Sequence, residues 1–275
     1  MVQEMITSVQ NPLVKRLHQL LEKKGREEQK RFLIEGAHLV EEAFHSGAEV
    51  VTVLYDPKRE IDPACLRVLG DNEGGIQILT ASSNVLAKLS ETKSPQGIVA
   101  EVKRRDDDWN SWISQSLVEK KQLLLLLLDE IQDPGNLGTI LRTAEAAGVD
   151  AVVLGKGCVD LYNGKVIRST MGAVFRLPIF TLSLPEFADQ WKEMGGKLLV
   201  TSLSEGSSPY DTATYTGRTA IVIGNEGRGV SQAMLERADE KLYIPIYGRA
   251  ESLNAAVAAG ILVYEARRKH TERPF

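Results

Sequence analysis

The chain has 275 residues, 43% of them hydrophobic and 25% charged, with a formal net charge of −4. That is the composition of a soluble globular protein of one large or two ordinary domains. No apolar run approaches the ~20 residues of a membrane span, so a membrane protein is excluded at this level.

Two further features bear on compartment. Cys65 and Cys158 lie far apart with no neighbouring His or Cys, which argues against a disulfide framework or a zinc site. The start, Met1-Val2-Gln3-Glu4, shows no basic segment followed by an apolar one. A cytoplasmic protein without a metal site is expected. The acidity sits in the C-terminal part, because residues 1–105 carry 15 basic and 15 acidic side chains. Within residues 15–31 there are seven basic side chains (Lys15, Arg16, Lys23, Lys24, Arg26, Lys30 and Arg31) against three acidic ones. Such a patch can hold phosphates, and it is also the ordinary dress of an exposed helix.

In chain order, Leu13, Leu17, Leu20 and Leu21 predict one helix over 12–24 that starts at Pro12 and ends at Gly25. Phe32-Leu33-Ile34 is a short apolar run before Gly36. A helix over Ala37–Phe44 closes at Gly47, and β-branched Val50–Leu54 reads as a strand. Asp62 and Pro63 fit an N-cap and first helical residue. The strand Ile76–Leu79, a helix from Ser82 and the strand Gly97–Ala100 complete a small α/β unit over 1–105. The charge block from Lys103 to Asp108, followed by Trp109 and Trp112, is read as a linker over 106–122. The two tryptophans serve packing more readily than base stacking.

Leu123–Leu128 is six consecutive leucines, which fits a strand buried on both faces of a parallel sheet. A helix follows Gly135, and Ala151–Leu154 is the next strand. Another βα unit runs from Asn163 to Ile179. Then come a helix near Trp191, strands at Leu198–Val200 and Ala220–Ile223, a helix from Ser231, and a strand at Leu242–Ile246. The last helix, Ser252 to about Lys269, is small and apolar nearly all round its first half, so an enclosed helix is expected.

Three motifs follow apolar runs in this half: Asp133-Pro134-Gly135-Asn136-Leu137-Gly138 on to Arg142, Gly224-Asn225-Glu226-Gly227-Arg228-Gly229, and Glu251-Ser252-Leu253-Asn254. Ligands of open α/β sheets bind beyond the strand C-termini, so one composite site is expected. Asn136 falls near a helix N-terminus, and Arg142, close to two turns on, is expected to share its general face. Gly224, Gly227 and Gly229 miss the G-x-G-x-x-G spacing, and no phosphate-loop Lys-Ser/Thr is present. Ser252 is a credible N-cap of the last helix.

Taken together in this order, the motifs resemble the SpoU (TrmH-like) branch of the SPOUT RNA 2′-O-ribose methyltransferases. Ile6-Thr7-Ser8, Asn11-Pro12 and Phe32-Leu33-Ile34-Glu35-Gly36 are similar to the RNA-binding extension of many members. Where the family often has Ser-Leu-Asn-Val-Ser-Val, this chain reads Ser252-Leu253-Asn254-Ala255-Ala256-Val257, so any role of the second Ser is absent. The resemblance implies a mostly parallel α/β SPOUT domain over 123–275 with a deep trefoil knot. It further implies a preceding ribosomal-protein-like RNA-binding domain and a homodimer through the C-terminal domain.

The same resemblance implies S-adenosylmethionine as cofactor, contacted at Gly224, Ile244 and Leu253. Thr201, Ser202, Asn225, Glu226, Gly227, Ile246, Ser252 and Asn254 complete the expected cofactor wall. The catalytic set is expected to be Asn136, Arg142, Glu226, Ser252 and Asn254, with RNA held by the basic residues of 15–31 and by Arg142. The reaction needs the ribose 2′-oxygen placed in line with the methyl and help in losing the hydroxyl proton. None of His18, His38, His45 and His270 falls in a motif. A guanidinium, with a pKa above about 12, is a poor base. Arg142 is therefore read as binding phosphate and stabilising oxyanion charge, although the family proposal that it takes the proton stays open. Ribosomal RNA is favoured over transfer RNA. The alternatives are a non-catalytic RNA-binding protein of the same fold and an unrelated nucleotide-binding α/β enzyme.

Overall fold

The computed structural model describes residues 5–70 and 75–270, the side chain of His270 excepted; the start Met1–Glu4, read above for a leader, lies outside them. No helix among the described residues is long and apolar enough to cross a membrane. The chain divides into two compact units, Met1–Asp106 with Asp160–Arg176, and Asp107–Val159 with Leu177–Phe275.

The first unit runs α1 (Pro12–Gln19), α2 (Lys23–Gln29), β1 (Arg31–Glu35), α3 (Ala37–His45), β2 (Val50–Tyr55), α4 (Pro63–Gly70), β3 (Gln77–Thr80), α5 (Ser83–Lys88) and β4 (Ile98–Lys103). Its sheet order is β1-β4-β2-β3, with β4 antiparallel to both neighbours and β2 parallel to β3. Leu17 and Leu20 from the α1 region and Val85, Leu86 and Leu89 from the α5 region form a core against Leu54, Leu79 and Val99. The same unit takes up α8 (Gly164–Thr170) and α9 (Ala173–Arg176) from the later segment. Phe32 packs on Tyr162 with ring centroids 4.7 Å apart, and Arg104 stacks over that tyrosine at 4.4 Å.

Two expectations for this unit are corrected. The single helix over 12–24 is two helices, because the chain turns after Leu20. Gly25 does not end a helix but lies inside α2. It is there because an added Cβ would sit 2.1 Å from the carbonyl oxygen of Gln19, closer than any side chain can approach.

The basic stretch is also mostly committed within the unit. Arg16 forks both carboxylate oxygens of Glu101 at 2.5 and 2.9 Å, and Arg31 donates to the same group at 2.8 Å, as does Thr52. Arg26 is 4% exposed and donates to the carbonyls of Leu20 and Leu21 and to Asp160 at 2.6 Å. A guanidinium whose fork is filled by a buried carboxylate is not offered to a phosphate. Lys23 and Lys24 stand opposite Glu27 and Glu28 as exposed i,i+4 pairs, leaving Lys15 and Lys30 exposed without an ion pair among the described residues.

The second unit begins with α6 (Trp109–Glu119), formed by residues read as a linker and capped by Asp108, whose carboxylate accepts from the Ser111 amide at 2.8 Å. Trp109 is buried edge-on against Phe180 and Phe187, at 5.3 and 4.9 Å, so the packing role holds. The sheet has seven strands: β5 (Leu123–Leu128), β6 (Ala151–Leu154), β7 (Ile179–Thr181), β8 (Lys197–Thr201), β9 (Ser208–Pro209), β10 (Arg218–Ile223) and β11 (Glu240–Tyr243). Their order is β7-β6-β5-β10-β8-β11-β9, and every pairing is parallel. All six leucines of β5 are fully buried, as a strand covered on both faces requires. Helices α7 (Pro134–Ala146), α10 (Leu184–Glu193), α11 (Gln232–Leu235) and α12 (Ala255–His270) complete the unit.

Helix α12 packs on α7 and reaches β5 and β10. It is not enclosed all round, as its composition led one to expect. Ala255, Ala259, Leu262 and Ala266 are buried, but Val257 and Tyr264, seven residues apart and so on one face, are 52% and 53% exposed.

Glu101 offers a direct test of the first unit. Burial alone would raise its carboxyl pKa, but hydrogen bonds from Arg16, Arg31 and Thr52 outweigh burial and hold it below the usual carboxylate range. A depressed folded pKa gives stability that is present above the unfolded value and lost as pH falls through the folded one. Glu101→Ala should therefore destabilise the unit by about 3 kcal/mol at neutral pH, because it strands two arginines. Urea unfolding followed by circular dichroism should show that deficit shrinking as pH drops below about 4. A deficit independent of pH would contradict the assignment.

Candidate active site

Parallel register brings the motifs to one edge. Leu128 at the end of β5 pairs with Ile223 at the end of β10, Val222 pairs with Val200, and Thr201 pairs with Leu242. The strand order reverses between β5 and β10, since β5 leads outward to β6 and β7 while β8 and β11 lie beyond β10. Ligands bind outside the carboxyl ends of strands at such a switch point. The first motif leaves β5 there, the second leaves β10, and the third follows β11.

Helix α7 opens with Asp133 as its N-cap, whose carboxylate accepts from the Asn136 amide at 2.8 Å. Pro134 sits at the first helical position, where a missing N–H costs nothing. Since Asp133 does the capping, the Asn136 side chain is free for another task. Its amide nitrogen donates to Glu226 at 3.0 Å, and its amide oxygen accepts from Asn254 at 2.9 Å. The oxygen of Asn254 in turn accepts from the Ala256 and Val257 amides, at 2.9 and 3.3 Å, which makes Asn254 the cap of α12. The expected cap, Ser252, lies two residues earlier, outside the helix, because α12 starts at Ala255.

The Glu226 carboxylate also accepts from the amides of Gln132 and Asp133, at 3.4 and 3.2 Å. Desolvation would raise its pKa, but the donors from Asn136, Asp133 and Gln132 together hold it below the ordinary value of 4.5. Glu226 is thus an ionised carboxylate occupied by donors, which suits it to holding the first motif against the second and not to accepting a proton.

The loop carrying Glu226 is closed on itself by paired backbone bonds between Asn225 and Gly229, each 2.9 Å. The Asn225 oxygen accepts from the amides of Gly227 and Arg228, and its nitrogen donates to the Glu130 carbonyl at 2.9 Å. Gly224 is needed for this closure, since a Cβ there would meet the Gly229 carbonyl carbon at 2.2 Å. A Cβ at Gly227 would meet only the Asn225 side-chain oxygen, at 3.7 Å, and one at Gly229 nothing within 4 Å, so this part of the loop leaves room for a ligand.

Beside this loop lies a cavity of about 480 Å³, in the range of small-molecule pockets. It is lined by Thr201, Ser202, Gly224, Asn225, Glu226, Gly227, Ile244, Ile246, Ser252 and Leu253, all expected from the sequence. Leu203, Arg228, Tyr243 and Glu251 also line it and were not expected. Arg228 and Glu251 stand inside the quoted motifs, so their position was visible although their role was not. The strand predicted to reach Ile246 stops at Tyr243, which leaves Ile244 and Ile246 as irregular chain along the wall. The Thr201 hydroxyl donates to the Val222 carbonyl at 2.9 Å and that of Ser202 to Ser204 at 2.8 Å, so both retain only acceptor capacity toward a ligand. Ile223, Leu242, Ile244, Ile246 and Leu253 give the cavity apolar walls, the kind of surface a purine base packs against.

Asn254 borders the pocket without lining it, and Arg142 is not among the lining residues. Six residues from Asn136 is about 120° around a helix, so the two do not share a face as expected. Arg142 is exposed, and its side chain makes no hydrogen bond or ion pair among the described residues. His18, His38 and His45 all belong to the first unit, and the side chain of His270 lies outside the described residues.

Residues 123–264 match the SpoU rRNA Methylase family, and residues 11–100 match the MRM3-like substrate binding domain. The chain is 42% identical over 262 residues to a 23S rRNA (guanosine(2553)-2′-O)-methyltransferase, RlmP, of Bacillus subtilis, covering 95% of this chain and 98% of that protein. It is 32% identical to an AdoMet-bound rRNA methyltransferase from Sinorhizobium meliloti, with a TM-score of 0.83 and coverage of 96% and 97%. It is 29% identical to the SpoU methyltransferase AviRb from Streptomyces viridochromogenes, solved with AdoMet, with a TM-score of 0.82 and coverage of 94% and 98%. The chain belongs to the SpoU rRNA methylase family.

Proposed function

We propose that methyl donor and ribose meet at the carboxyl edge of the seven-stranded sheet, with the donor in the pocket and the target nucleotide against Asn136 and Glu226. The chain is an RNA ribose 2′-O-methyltransferase that uses S-adenosylmethionine. Ribosomal RNA is its proposed substrate, as it is for relatives named as rRNA methyltransferases. The observation that carries the reading is the chain of hydrogen bonds from Asn254 through Asn136 to Glu226, which ties three separate motifs together beside one pocket.

When bound, S-adenosylmethionine supplies an electrophilic sulfonium methyl. Ile244, Ile246 and Leu253 would hold the base, while Gly227 leaves room for the chain near the loop. Asn136, fixed on both sides, orients the ribose. Arg142 binds the target's phosphate and stabilises charge developing on the 2′-oxygen. On a lone chain this guanidinium is not among the residues that line the pocket and has no partner among the described residues. A homodimer through the C-terminal unit is part of the proposal, supported by the exposed face of α12 at Val257 and Tyr264 beside exposed Leu253. In that dimer Arg142 of one copy serves the pocket of the other. The trefoil knot belongs to the same proposal, supported by the return of α12 from β11 to pack on α7 and β5.

Incubation with labelled S-adenosylmethionine and total RNA from a strain lacking the protein should yield alkali-resistant dinucleotides, since a methylated 2′-oxygen cannot attack the adjacent phosphate. Label released as mononucleotides would place the methyl on a base and refute the assignment.

Two variants probe the roles. Arg142→Ala should bind S-adenosylmethionine normally by calorimetry while kcat falls about 100- to 1,000-fold. Full activity would remove Arg142 from the mechanism. Glu226→Gln tests the ionised carboxylate. In the wild type, loss of activity attributable to Glu226 should set in only below pH 4.5, as the depressed carboxylate is protonated. The variant should be impaired at every pH and lack that acid limb. An unchanged pH–rate profile would show that the charge of Glu226 does not matter.

A further inference from the structure

We propose that Arg228 is a phosphate contact for the RNA substrate at the mouth of the pocket, separate from Arg142. The inference rests on the reading of the site as that of an RNA ribose methyltransferase. A ribose presented for 2′-O-methylation brings its flanking phosphates with it, so the pocket rim must accommodate negative charge. Of the charged side chains lining the pocket, Glu226, Arg228 and Glu251, Arg228 alone is cationic. Glu226 is already saturated with donors from the first motif, which leaves the rim acidic unless Arg228 faces the substrate.

Its placement is built and not incidental. The Arg228 amide donates to the Asn225 oxygen at 3.0 Å, within the closed Gly224–Gly229 loop. The guanidinium makes a single contact, from one Nη to the Glu130 carboxylate at 2.5 Å, and its other N–H groups have no partner among the described residues. Glu130 is one of three non-glycine residues with positive φ among the described residues, at 57°, a backbone state that costs energy and collects at functional positions. Its carbonyl holds Asn225 and its carboxylate holds Arg228, so one strained residue touches the loop twice. The ion pair is open to solvent, with side chains 69% and 38% exposed, so it contributes little and an incoming phosphate shares or displaces it at little cost.

The test is equilibrium binding of deproteinised ribosomal RNA to the full chain, measured over a salt series with S-adenosylhomocysteine present. Calorimetry measures cofactor affinity in parallel. Arg228→Ala should weaken RNA binding about tenfold and lower the slope of log affinity against log salt by about 0.7, as loss of one single-strand phosphate contact requires. Its affinity for S-adenosylmethionine should match the wild type. Arg228→Lys should restore the slope while recovering affinity only in part, because a point charge replaces the fork. An unchanged salt slope in Arg228→Ala, or an equal loss of cofactor affinity, would overturn the proposal in favour of a loop-closing role. Binding is read without turnover, so a wild-type protein that binds RNA but transfers no methyl would count against the function and not against Arg228.

Discussion

The carboxylate of Glu226 is the contact on which the candidate site depends. It lies on the loop after β10, yet its partners are the Asn136 side chain and the Gln132 and Asp133 amides of the segment after β5. Asn136 passes the connection to Asn254, and Asn254 caps α12. One ionised group therefore fixes the relative position of three loops that lie far apart in sequence. A charge-assisted network of this kind holds geometry more firmly than neutral hydrogen bonds would.

That network can form only because the sheet is parallel throughout. Parallel pairing in register places the ends of β5, β10, β8 and β11 side by side, and the reversal of strand order between β5 and β10 opens the crevice. The buried leucines of β5 set the floor, the glycines at 224 and 229 let the loop close, and Asp133 frees Asn136 by taking over the helix cap. Each local choice serves the same edge.

Much of this was legible in the sequence because it is local. A run of six leucines states a two-face buried strand, and the helix expected after Gly135 is present, starting one residue earlier at Pro134. The motifs quoted from the sequence supply nine of the pocket's lining residues, six in 224–229 and three in 251–253. What was not legible depends on partners remote in sequence. Arg16 and Arg31 look like phosphate ligands until Glu101, far along the chain, fills their forks. Arg26 looks the same until Asp160 folds into the first unit, an event no composition change announces. Ser252 and Asn254 are equally good caps by residue type, and only the start of α12 decides between them. The mismatch between Asn136 and Arg142 was open to arithmetic, since 3.6 residues per turn already separates them around α7.

In the proposed site the second and third motifs hold one methyl donor, and the first faces its methyl. A crystal structure of the full chain grown with S-adenosylmethionine tests this most directly. The donor should lie between Thr201, Gly227, Ile244 and Leu253, with its methyl directed to the side where Asn136 and Glu226 meet. A donor bound elsewhere on the chain, or a methyl turned away from that pair, would contradict it.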